Sequence, residues 1–147
     1  MDFDALVPAP GGSGLLPTQA IVEIEIAHAP RLNRSAFVKL GPRDDLAIAR
    51  LNLAIEADFD GQRFGAVRLY AGAIAPAPRR LDRVEATLVG RTLGPVTLDD
   101  FGRALVAEID SAIPGRASQG YKRRAILGVG FDLVARLTGR DELGAFA

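Results

Sequence analysis

The residues of this 147-residue chain whose types and spacing could do chemistry are few. Lys39 stands in Phe37-Val38-Lys39-Leu40, just before Gly41-Pro42. Taken alone, its ammonium reads as a solvated strand residue. Arg68 and Tyr70 alternate with Val67, Leu69, Ala71 and Ala73, so a strand puts the polar pair on its open side. Lys122, Arg123 and Arg124 fall in the first turns of a helical pattern, where cations oppose the dipole. An acidic partner or an anion would relieve them, although a solvated face is the plainer reading. Asp44 and Asp45 are adjacent, face opposite ways in a strand, and suit a turn better than a metal pair. His28 lies at a strand end and reads as a surface residue. Ser111 and Ser118 have no other imidazole in the chain to act as their base, which argues against a Ser-His-Asp triad. Gly11-Gly12-Ser13-Gly14 lacks the Lys-Ser/Thr of a phosphate loop. Asn33-Arg34-Ser35 has the form of a glycosylation sequon in a chain that shows no secretory signal.

Composition removes further chemistry. The chain has no Cys, so disulfides, thiolate nucleophiles and Cys-ligated clusters are excluded. One His cannot build a His-rich metal site. Formal net charge is zero, which offers no global field to nucleic acid. With 48% hydrophobic and 24% charged residues, the chain reads as one globular domain able to bury a core. No apolar run is long enough to span a bilayer. MDFDALVPAP, acidic and Pro-containing, is no signal peptide. A cytoplasmic protein is expected.

The elements that must position these residues follow from periodicity. Residues 1–17 are rich in Pro and Gly and read as a tail or linker. Ala20–His28 alternates, with Ile21, Val22, Ile24 and Ile26 against Glu23 and Glu25, and predicts a half-buried strand. Ser35–Leu40 predicts a short strand. Asp45–Asp58 predicts a strand whose phase changes between Ile48 and Leu51, consistent with a bulge, a helix being the competing reading. Asp60-Gly61 supplies a hairpin turn, and Gln62–Ile74 returns antiparallel before Pro76-Ala77-Pro78 stops the ladder. Arg80–Val89 predicts a helix ended by Gly90. Thr97, with Asp99 and Asp100, predicts a second helix start. Gln119–Thr138 predicts the longest helix, capped by Gly139. Its Gly128 and Gly130 suggest close packing. Strands first and helices after predict an α+β two-layer sandwich, an antiparallel sheet of three to four strands with three helices packed on one face. The domain is expected over residues 18–139, with 140–147 as a tail.

Four stretches, in order, resemble a known family. Arg68-x-x-x-Gly72-Ala73-Ile74-Ala75-Pro76-Ala77-Pro78-x-Arg80 is similar to R-x-x-x-G-A-V-A-P-T-P-x-R. Leu16–Ile24 is similar to L-x-P-G-E-L-L-T-E-I, Phe37–Arg43 with Asp45–Ala49 to F-x-K-x-G-x-R…D-L-A-I-V, and Ser118–Arg123 to S-A-E-Y-R-R. These patterns belong to the C-terminal domain of the FAD-binding (medium) subunit of the molybdenum hydroxylases, the carbon monoxide dehydrogenase and xanthine dehydrogenase flavoproteins. The resemblance implies a sheet followed by three helices. It implies a subunit that passes electrons from iron–sulfur clusters through FAD to an acceptor such as NAD or a quinone. It places the Lys matching Lys39 near the isoalloxazine edge, where a cation favours reduced, anionic flavin. FAD is expected only together with an FAD-binding domain not present in this chain. The implied partners are that domain, an iron–sulfur subunit and a molybdopterin subunit, with neither nucleic acid nor membrane insertion. Gln19, Ala77 and Lys122 replace the family's usual Glu, Thr and Arg. They motivate the alternative, a stand-alone assembly module, a homodimer through an exposed sheet face, that has lost redox work.

Overall fold

Strict alternation on β2 (Leu51–Phe59) builds the centre of the molecule. Leu51, Leu53, Ile55, Ala57 and Phe59 are buried, while the residues between them are not. The computed structural model describes residues 14–25, 32–43 and 47–140. In it β1 (Arg34–Leu40), β2, β3 (Phe64–Gly72) and β4 (Arg79–Arg80) form one antiparallel sheet in the order β1-β2-β3-β4. Three helices follow: α1 (Asp82–Glu85), α2 (Pro95–Ala112) and α3 (Gln119–Thr138). The α3 helix lies across β1 and β2, α1 lies against β3, and α2 packs on α1 and α3. The expected two-layer α+β sandwich is therefore present.

The hairpin turn forms where Asp60-Gly61 predicts it. Asp60 Oδ1 accepts from the Gln62 and Arg63 amides at 2.8 and 2.7 Å, and Gly61 takes a φ of 104°. On β3 the inward phase changes once, because Phe64 and Val67 are both buried. The pairs Ala57–Val67 and Phe59–Phe64 show the cause: two steps on β2 oppose three on β3. Gly65 sits in this irregularity, where a Cβ would lie 2.7 Å from Asp58 Oδ2.

Several expectations are corrected. Residues 20–25 form no strand; Val22 and Ile24 are 95% and 74% exposed, and residues 26–28 lie outside the described residues. Alternation alone cannot make a strand without a neighbour to pair with. This segment belongs to a separate unit, residues 1–30. The fourth strand is instead β4, two residues that pair with Tyr70 and Ala71 after the prolines. The phase change between Ile48 and Leu51 is a strand boundary and no bulge within a strand: Ile48 is exposed, and Arg50 N donates to Leu40 O at 2.8 Å as the chain turns back. The first helix is shorter than Arg80–Val89, although Gly90 does end its turns with a φ of 72°. The second begins at Pro95 with Gly94 as N-cap, so Thr97 lies inside it and bonds Thr92 O. The third spans Gln119–Thr138 with left-handed Gly139 as cap, as predicted.

The helix pair interlocks through two glycines. A Cβ on Gly130 would come 2.4 Å from Leu105 Cδ1 and 3.2 Å from Phe101 Cε1; one on Gly102 would come 3.2 Å from Leu127 Cδ2. Gly128, expected to serve close packing too, has open space around it.

Candidate functional site

The helices cover one face of the sheet and leave the other open. Strand register sorts the open face of β1–β3 into three rows: Ser35–Glu56–Arg68, Phe37–Ala54–Tyr70 and Lys39–Asn52–Gly72. Inward residues Val38, Leu53 and Leu69 alternate with them, so parity alone points these side chains away from the core. The middle row is apolar and accessible: Phe37 is 54% and Tyr70 43% exposed, with the small Ala54 between them. Together with Ser35, Glu56 and Arg68 they line a trough of about 570 Å³.

The third row carries Lys39, exposed, at the sheet's outer strand. Its neighbour Asn52 lies over Gly72 so closely that a Cβ there would fall 2.4 Å from Asn52 Oδ1 and 2.8 Å from Nδ2. Gly72 is thus required by the carboxamide beside it. Immediately after it, Ala73 takes a φ of 63°, rare for a residue with a Cβ. Its carbonyl accepts a hydrogen bond from Lys122 Nζ. Burial, then the charge of Arg116, push the Lys122 ammonium below its ordinary pKa.

The far edge of β3 is closed by chemistry. Glu85 is 6% exposed; its Oε1 accepts from the Leu69 amide at 2.8 Å and from Arg80 Nε at 2.9 Å, and its Oε2 from Arg80 Nη2 at 2.9 Å. Burial alone would raise this carboxyl. The Arg80 hydrogen bonds and the Leu69 amide outweigh it and hold the pKa below the ordinary value. The carboxylate so takes the place of a further strand along that edge.

The other sequence candidates disperse. Arg123 Nη1 meets both Asp110 oxygens at 2.8 Å, so the basic start of α3 has found an acidic partner. Arg124, Ser111 and Ser118 are exposed. Asn33 exchanges two hydrogen bonds with the Phe59 backbone. His28, Asp44 and Asp45 lie outside the described residues. Among the described residues no group of three or more His, Cys, Asp or Glu side chains could hold a metal, and no helix is long and apolar enough to cross a membrane. Asn52 is a site residue that sequence reasoning misses. Its parity with Ala54 and Glu56 gives its face, but its place beside Lys39 and Gly72 depends on register.

An α+β sandwich with one open, aromatic and cationic sheet face is the class of domain these features define. The chain belongs to the CO dehydrogenase flavoprotein C-terminal domain family, which matches residues 36–137. Solved structures agree on the fold. Carbon monoxide dehydrogenase from Hydrogenophaga pseudoflava, lacking the Mo-pyranopterin moiety of the molybdenum cofactor, is similar with a TM-score of 0.64 at 20% identity over 78% of this chain and 39% of that one. Quinoline 2-oxidoreductase from Pseudomonas putida 86 gives 0.63 at 17% identity, covering 76% and 39%. Reconstituted CO dehydrogenase from Oligotropha carboxidovorans gives 0.62 at 20% identity, covering 73% and 37%. This chain therefore spans under two fifths of those chains' length. No curated protein matches it.

Proposed function

We propose that the chain works as the C-terminal domain of a molybdenum-hydroxylase flavoprotein subunit, and that its open sheet face completes a flavin site held mainly by another domain. The observation that carries the reading is the exposed Lys39 ammonium, one row along from an aromatic trough on the sheet's open face. A planar ring fits such a surface: Phe37 and Tyr70 flank a floor made by Ala54. FAD, when bound, would supply electron transfer between iron–sulfur clusters and an acceptor. Lys39 would place a fixed positive charge where the reduced ring gathers negative charge. The partners are an FAD-binding domain, an iron–sulfur subunit and a molybdopterin subunit, in the cytoplasm.

The test is co-expression with a molybdenum-hydroxylase FAD-binding domain, followed by flavin potentiometry. Lys39→Met is expected to lower the flavin midpoint potential, by about 30 mV for each tenfold loss of reduced-form stabilisation. An unchanged potential with full flavin content would remove Lys39 from the site. Tight stoichiometric binding of FAD to the purified chain alone would overturn the dependence on a second domain.

The exposed Phe37 and Tyr70 also favour a second reading, a homodimer formed through this face without redox work. Analytical ultracentrifugation separates the two readings. A concentration-dependent dimer abolished by Phe37→Ser with Tyr70→Ser, together with no recovery of a molybdopterin subunit in pull-downs, would favour the second.

A further inference from the structure

We infer that Asn52 and Lys39 together recognise the imide edge of a planar heteroaromatic ring, and that Gly72 lacks a side chain so that the Asn52 carboxamide can lie in that position. This rests on the flavin reading above and adds to it a second contact residue and a hydrogen-bond pattern.

Asn is disfavoured within a strand, yet Asn52 sits on an inner strand, paired on both sides, opposite Lys39 on one and Gly72 on the other. Its side chain makes no hydrogen bond to any described residue, although it is partly buried. A carboxamide in this state presents to solvent an acceptor and two donors that no side chain or backbone group of the described residues engages. An imide presents a carbonyl beside an N–H, the matching acceptor and donor, so the two can close a bidentate pair of the sort Asn makes with adenine. Lys39 stands one strand away, about 5 Å between facing side-chain stems. The flexible four-carbon stem lets the Lys39 ammonium reach from there toward the imide's second carbonyl. The ammonium then donates to the second carbonyl. The rest of the ring would extend toward the next row, over Ala54 between Phe37 and Tyr70. An isoalloxazine has both the imide and the tricyclic body; a uracil base has the imide alone.

The test uses the full chain, ¹⁵N-labelled, titrated with FMN, with N3-methyl-FMN and with UMP. FMN is expected to bind weakly, in fast exchange, and to shift the Asn52 side-chain amide and the Gly72 backbone amide. N3-methyl-FMN, which has lost the imide proton, is expected to bind about 5- to 10-fold more weakly, the loss typical of one or two hydrogen bonds. Asn52→Leu is expected to weaken FMN by the same factor and to bind the two flavins equally. Gly72→Ala is expected to reproduce that loss by displacing the carboxamide. FMN shifts confined to Phe37, Lys39 and Tyr70, with equal affinity for N3-methyl-FMN, would overturn the Asn52 assignment and leave the flavin reading standing. No response of the open face to FMN would overturn imide recognition by this face, while the flavin reading, in which another domain holds most of the cofactor, is decided by the Lys39→Met potentiometry. UMP binding as tightly as FMN would overturn the isoalloxazine as the source of the imide. The N3-methyl comparison on the unaltered chain decides the matter even if a variant fails to fold.

Discussion

On β2, Leu51, Leu53, Ile55, Ala57 and Phe59 have almost no contact with solvent, while Asn52, Ala54 and Glu56 alternate with them on a face that no helix covers. The covered face is continuous with Phe101, Leu105 and Ile109 of α2 and Ile126, Leu133 and Val134 of α3, all buried. Its residues are fixed by volume. Residues on the open face meet neighbours mainly within their own row and have little to do with holding the chain folded. The two sides of one sheet are thus answerable to different demands: packing density on one, and whatever ligand or surface it meets on the other. Substitutions should separate them cleanly.

The largest effect is expected on the covered side. Phe101→Ala removes a fully buried ring from under Gly130 and should cost about 3–5 kcal/mol, read as a lowered urea midpoint. Next comes the boundary between the faces. Glu85→Gln leaves the Arg80 guanidinium without its charged partner and weakens the bond to the Leu69 amide, for about 1–3 kcal/mol, towards the low end because Arg80 is half exposed. Its pH signature is specific. The folded Glu85 pKa is held below that of the unfolded carboxyl, so its stabilisation is fully present above the ordinary carboxylate range and is lost as pH falls through the folded pKa. The melting temperature of the wild type should drop through this acid range more than that of Glu85→Gln.

A pair of glycines two residues apart gives the third prediction, with opposite signs. Gly130→Ala drives a methyl into Leu105 and Phe101 and should destabilise by about 1–3 kcal/mol despite better helix propensity. Gly128→Ala meets nothing and should stabilise by up to about 1 kcal/mol. Thermal unfolding of both variants checks the signs. The smallest effect is expected on the open face, where Phe37→Ser and Tyr70→Ser should each change stability by less than about 0.5 kcal/mol. A larger loss for either would mean that the open face also holds the fold.

Much of this is legible in the chain because its periods are clean. The alternation of Ser35–Leu40 and of Gln62–Ile74, and the stripe Ile126, Val129, Leu133 and Leu137, predict β1, β3 and α3 close to where they lie. Ala20–His28 shows why alternation is insufficient. Its pattern is as regular as that of β1, but pairing is a property of two segments, and residues 20–25 have no ladder. The start of α2 is easily misplaced because Thr97 and its following acids imitate a cap, whereas Gly94-Pro95 provides the start through backbone geometry. At the site, parity gives Arg68 and Tyr70 their face, and resemblance gives Lys39 its expected role. Register, which a single sequence does not carry, is needed to set Asn52 between Lys39 and Gly72.

The reciprocal seating of Gly102 and Gly130 has a consequence for inheritance. Leu105 and Phe101 occupy the space over one glycine, Leu127 and Phe131 the space over the other. Neither glycine can gain a methyl group unless the residue above it gives way. Position 130 should therefore drift together with 105, and position 102 together with 127. A descendant that has acquired Gly130→Ala would be expected to carry a smaller side chain at 105, so that the two substitutions travel through the lineage as one change.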